Sequence, residues 1–220
     1  MNFDTTNISG RECYQLLQPS AKHLLIQPVD EHDLRLLEQE VDIIWTLSSE
    51  PFSLVAFKIE DWNRELTPWV AQPVFGTVPF GDGAESTLAY IAEQLLPVIQ
   101  QKGTDTSHCL LGGYSLAGLF ALWSGYQTNV FTSIVGASPS VWFPIWIEFV
   151  ESHQMKANRV YLSLGDMEPK TRNPLMAGVG ECIERMHELL DCEKMMEWNE
   201  GNYFKDNAIR TAKGLAWAIR

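Results

Sequence analysis

Basic residues are scarce in this 220-residue chain: 16 Lys and Arg stand against 28 Asp and Glu, a formal net charge of −12 at pH 7. A nucleic-acid backbone or an anionic membrane surface needs clustered cations, so that balance argues against both as partners. Cysteine is also sparse. Cys13, Cys109, Cys182 and Cys192 form no C-x-x-C pair, and Cys109 lies in an apolar run, the pattern of four reduced thiols. The five histidines are scattered without ligand spacing, which leaves no metal site and no cofactor to expect. No apolar run approaches the length of a membrane span. Met1 to Gly10 carries Asp4 but no basic or apolar leader segment, so the expected location is cytoplasmic. Repeats, low-complexity tracts and linkers are absent too, and nothing in the pattern fixes an oligomeric state.

What the chain does have is 45% hydrophobic residues, enough for one globular domain with a full-sized core. Residues 1–21 show no clear period and read as an N-terminal extension with room for a short helix. Beyond them, short apolar runs alternate with helical periodicity. His23 to Val29, Phe52 to Ile59, His108 to Gly113, Phe131 to Ala137, Arg159 to Leu164 and Met195 to Trp198 are the predicted strands. Helical spacing follows at 34–45, 88–99 (closed by Gly103), 116–125, 142–150, 175–190 and 207–219. The expected fold is therefore α/β: a mostly parallel sheet of about six strands with helices on both faces. Ligands of such sheets bind at the carboxyl ends of the strands.

One stretch organises the rest. In Leu110-Leu111-Gly112-Gly113-Tyr114-Ser115-Leu116-Ala117-Gly118, an apolar strand runs into a serine between small residues, and an apolar helix follows at once. That is the setting of a nucleophile elbow, in which bulk at Gly113 or Ala117 would hold strand and helix apart. A glycine-rich turn between any parallel strand and its helix gives the same short match, so the serine alone does not decide the matter.

Further motifs do bear on it. GGYSLAGLFALW (112–123), DWNRELTPW (61–69), GASPSVWFP (136–144), SLGDMEP (163–169) and EWNEGNYFKDNAIRTAKG (197–214) together resemble the α/β-hydrolase fold, within it the putative esterase family that includes esterase D and the enterochelin esterases. The resemblance spans roughly residues 22–220. It implies a compact hydrolase without a large lid, acting on a small-molecule carboxylic ester through an acyl-enzyme on Ser115. It also implies an acid after a later strand and a histidine in the last loop. Glu168 matches the acid best, with Asp166 second; either carboxylate could instead cap the helix near Asn173 or face solvent.

The histidine is missing. Relatives carry GNHF in the last loop, whereas this chain has Gly201-Asn202-Tyr203-Phe204, so Tyr203 takes the base position. A phenol with a pKa near 10 cannot accept the serine proton at neutral pH, although it can hydrogen-bond Ser115. Among the histidines, His23, His108, His153 and His187 fall away from the site, and only His32 lies in a loop at the carboxyl edge. For an oxyanion, the resemblance implies backbone donors from Leu116 and from the loop after the first predicted strand, Val29 and Asp30. Trp62, Asn63, Trp69 and Trp142 are the expected lining of the substrate pocket, or else an aromatic minicore pinning the long irregular segment 60–83. Two readings stay open: a serine esterase impaired at its base, acting on small or polar esters such as siderophore esters, short acyl esters or thioesters, and a small-molecule-binding protein descended from one.

Overall fold

A computed structural model describes residues 3–74 and 76–220. Its centre is an eight-stranded sheet in the order β1-β2-β4-β3-β5-β6-β7-β8. The strands are β1 (Asp4–Ile8), β2 (Arg11–Leu16), β3 (His23–Val29), β4 (Phe52–Lys58), β5 (His108–Tyr114), β6 (Ser133–Ala137), β7 (Arg159–Gly165) and β8 (Glu193–Asn199). From β4 through β8 all neighbours run parallel, while β1 and β2 are antiparallel to their partners. Six of the eight are the predicted strands. The other two correct the expectation for residues 1–21: residues 4–16 form a hairpin turned at Ser9 and Gly10, and it extends the sheet past β4. Its half-exposed alternation gives a weak apolar signal, and the hydrogen-bonding edge of β4 supplies what the side chains do not.

Helices cover both faces. On one side α1 (Glu31–Leu47) packs against α9 (Asn207–Ala218), and Leu37, Val41 and Ile44 meet Ala212, Leu215 and Ala216 over β3 to β7. On the other, α5 (Leu116–Gln127) lies against β5 and β6 and is buried from Leu116 to Tyr126, as a helix apolar on every side must be. The same face holds α3 (Ala84–Tyr90), a π-turn at Ile91–Leu95 and α4 (Leu96–Gln101), then α6 (Trp146–Ser152) and α8 (Val179–Leu189). Between them are the short α2 (Trp62–Glu65) and α7 (Pro174–Ala177). The helix expected from Trp142 begins only at Trp146, because Pro144 disfavours helical backbone at Phe143. The helix expected over 175–190 is divided into α7 and α8 at Gly178.

Two acids on the buried side of α1 run against the usual pattern. Glu40 is fully buried beside Gln27, and burial raises its carboxyl to about 8. Burial first, then the neighbouring Asp30, raises Asp33 to about 6. A carboxyl whose pKa is higher folded than unfolded binds more protons in the native state, so stability falls as pH rises through the interval between the two values. These two groups therefore make the protein lose stability between about pH 4 and 8. Glu40→Gln should remove the Glu40 share of that loss and raise the free energy of unfolding at pH 8 by about 1–3 kcal/mol, read from urea melts at pH 5.5 and 8.

Candidate active site

Ser115 sits between β5 and α5 with φ 58° and ψ −121°, a backbone conformation that few non-glycine residues adopt. Its N–H donates to Ala137 O at 3.1 Å, and its carbonyl accepts from Ser140 N–H at 3.1 Å and Leu119 N–H at 2.9 Å. Those bonds hold the turn. The approach of strand to helix also requires glycine at 113, where a Cβ would come within 2.5 Å of the Ala117 Cβ. The serine thus faces a cavity of about 1010 Å³ at the carboxyl ends of β5 to β8.

Of the residues singled out from the sequence, Trp62, Asn63, Ser115, Leu116, Trp142, Glu168 and Tyr203 line this one cavity. Trp69 does not; it packs on Phe143 and Phe149, donates from Nε1 to Pro144 O at 2.9 Å, and belongs to the aromatic minicore. Asp166 also lies outside the lining. Its Oδ1 accepts from Gly201 N–H at 2.7 Å and so ties the β7 loop to the β8 loop. Val29 and Asp30 are likewise placed elsewhere. Asp30 caps α1, and its N–H points at Asp33 Oδ2, 3.3 Å away, in a reciprocal capping box. The amide expected to face an oxyanion is thereby directed at a carboxylate. Leu116 N–H remains the donor that opens α5.

No histidine is among the described residues that line the cavity. His23 and His108 face each other at 5.5 Å at the starts of β3 and β5, the opposite edge of the sheet. His32 is exposed on the first turn of α1, and its N–H serves the Asp30 cap at 2.7 Å. Among the described residues no three His, Cys, Asp or Glu gather as metal ligands.

Tyr203 stands where the histidine was expected and meets the Ser115 hydroxyl. Burial raises its phenol above the ordinary value; Ser115 opposes this, and the charges of Glu168, Asp33 and Asp30 add to it. The phenol is therefore protonated at neutral pH and has a hydrogen to donate. Ser140, unremarked in the sequence, brings its Oγ to 3.3 Å from Ser115 Oγ. The hydroxyls of Ser115, Ser140 and Tyr203 thus meet at the cavity, and no imidazole is among the described lining residues.

The residue that sequence reasoning missed altogether is Arg210. Buried to 1% exposure, it reaches Glu168 Oε1 at 2.8 Å and Ser138 Oγ at 3.0 Å through Nη1, and Asn202 O at 3.0 Å and Glu200 O at 3.3 Å through Nη2. Nη1 also lies 3.5 Å from Tyr114 Oη, whose hydrogen donates to Tyr203 O. Glu168 Oε1 accepts in addition from Ser138 Oγ and Gly165 N–H, both at 2.7 Å. Burial is the strongest influence on Glu168 and pushes its carboxyl up against these donors. A signal for Arg210 did exist. A cation in the first turn of a helix opposes the helix dipole, so Arg210 at the fourth position of α9 calls for a compensating anion.

The family model described as "Putative esterase" matches residues 52–210. The chain belongs to the putative esterase family. An IroE-like serine hydrolase from Shewanella oneidensis superposes with a TM-score of 0.81 at 15% identity, over 98% of this chain and 79% of that one. Two siderophore hydrolases of Aspergillus nidulans are also similar: EstB has a TM-score of 0.72, 16% identity and coverage of 99% and 93%, and EstA has 0.74, 17%, and 99% and 94%. A search of curated proteins gives no match. These likenesses agree on an α/β-hydrolase fold with its sheet mostly parallel.

The Arg210–Glu168 pair supplies a stability test. Removing one member of a buried ion pair strands the other, at a cost of about 3–5 kcal/mol, so Arg210→Met should destabilise by that order. Combining it with Glu168→Gln should recover part of the loss, because no buried charge is then left alone. Gly165→Ala should also destabilise, since its Cβ would come within 2.3 Å of Gly201 O and 2.8 Å of Arg210 Nη2. Denaturant midpoints of the three variants beside the parent are the measurement.

Proposed function

We propose that the protein hydrolyses small or polar carboxylic esters through an acyl-enzyme on Ser115, and that Tyr203 makes this turnover slow. The observation that carries the reading is the strained Ser115 backbone held at the floor of an open cavity. Such strain persists only where surrounding structure enforces it, and it serves to present a nucleophile. In the forward step Ser115 Oγ bonds to the ester carbonyl carbon, and Leu116 N–H supports the oxyanion. The C–O bond to the alcohol then breaks, and the serine proton reaches the departing alkoxide through water. Water cleaves the acyl-serine in turn. Glu168, anchored by Arg210, is the carboxylate that would orient a base at position 203. The neighbours EstA and EstB are siderophore hydrolases, which makes siderophore esters candidates beside short acyl esters and thioesters.

A second reading, a ligand-binding protein of esterase descent, is favoured by one specific observation: a neutral phenol in place of the base. Hydrolysis of a chromogenic short-chain ester separates the two. The esterase reading expects slow turnover that Ser115→Ala abolishes, at a residual of about 10³–10⁴ over water, and a gain of about 10²-fold or more in kcat on Tyr203→His, the range of general-base catalysis. If only Tyr203→His turns over, the binding reading stands; if no variant shows serine-dependent hydrolysis, the esterase reading fails for that substrate class.

A further inference from the structure

We propose that the cavity is a receptor for aromatic carboxylates, with the carboxylate seated on Ser115, Ser140 and Tyr203 and the ring held among Trp62, Phe80 and Trp142. The inference rests on the site described above and follows from the polarity of its floor. An esterase needs an acceptor beside its serine, since the hydroxyl must lose a proton as it attacks. Here the neighbours of Ser115 Oγ are a second serine hydroxyl at 3.3 Å and a phenol that keeps its hydrogen. Each can donate, and Leu116 N–H at the start of α5 adds a backbone donor. A carboxylate offers two oxygens and about four acceptor positions, and it carries the charge that strengthens every one of these bonds. An ester carbonyl offers one oxygen and no net charge.

The charges around the cavity agree. In a chain of net charge −12, the lining holds three cations, Lys170, Arg172 and Lys205, and one anion, Glu168. Arg210 already matches Glu168 at 2.8 Å, and Lys205 is shared with Glu200 at 2.9 Å. Lys170 Nζ rests 3.2 Å from Met167 Sδ, a weak acceptor that leaves its charge to act on the cavity. Outside the lining, the charges of Asp33 and Asp30 at the start of α1 act on Tyr203 and strengthen the hold of the phenol on its hydrogen. Phe204, 82% exposed at the mouth, is placed to cover a bound ring.

The test is a comparison of phenylacetate with phenylacetamide, its neutral counterpart of the same shape, by tryptophan fluorescence titration of the full chain. Phenylacetate should bind at least tenfold more tightly. Tyr203→Phe and Ser115→Ala should each weaken phenylacetate about five- to tenfold and phenylacetamide, whose neutral carbonyl accepts the same donors more weakly, by clearly less, and raising NaCl should narrow the gap between the ligands. Equal affinity for the two, no saturable binding of phenylacetate, or a loss in either variant that is the same for both ligands would overturn the proposal. No turnover is needed for this readout, so absence of ester hydrolysis would defeat the esterase reading and leave the carboxylate result standing on its own.

Discussion

One guanidinium bridges the ends of four consecutive parallel strands. Arg210 reaches Tyr114 at the end of β5, Ser138 after β6, Glu168 after β7, and the carbonyls of Glu200 and Asn202 after β8. These are the loops at the carboxyl ends of the strands, where open α/β sheets bind their ligands. Here a single buried cation sets their spacing. Because the donors of an arginine are fixed in a planar fork, the loops are placed by angle as well as by distance. Ser115 is held by the strand-to-helix turn, but the position of Tyr203 against it depends on Arg210.

That arrangement changes what the acid at position 168 means. In a serine hydrolase the carboxylate orients an imidazole and stabilises its cation during the reaction. Glu168 instead gives one oxygen to three donors, one of them a permanent cation. The partner of this carboxylate is a guanidinium. A phenol has a single polar atom and no second site for an orienting carboxylate to hold, so Tyr203 makes no demand on Glu168. The site is consistent within itself: an ion pair beneath, neutral hydroxyls above, and an aromatic wall facing them.

The sheet and the elbow were legible because their signals are local. Apolar runs of the right length gave β3 to β8, and the small residues around Ser115 gave the turn whose closeness the 2.5 Å approach at Gly113 reflects. The hairpin of residues 4–16 was not legible, because its side chains alternate without strong apolarity and its pairing with β4 is a backbone matter. Tyr203 and Glu168 could be placed at the cavity by their motifs, whereas the direction of the Asp30 N–H could not: whether it faces the cavity or a cap depends on Asp33, three residues on, and on the exact start of α1. Trp69 illustrates a similar limit, since an aromatic residue in a loop near the site can face the cavity or the minicore with the same sequence. Arg210 was hidden by distance along the chain, its anion lying 42 residues away.

The position of β3 in the sheet limits how the molecule can be divided. The stretch matched by the family model starts at residue 52, after β3, yet β3 lies between β4 and β5 and is hydrogen-bonded to both. A fragment cut to 52–210 would keep those two strands and discard the one that joins them, along with α1, which covers their shared face. The family boundary is therefore not a folding boundary. Excised on its own, that fragment would leave unpaired strand edges in the middle of the sheet, the kind of surface through which chains associate with one another.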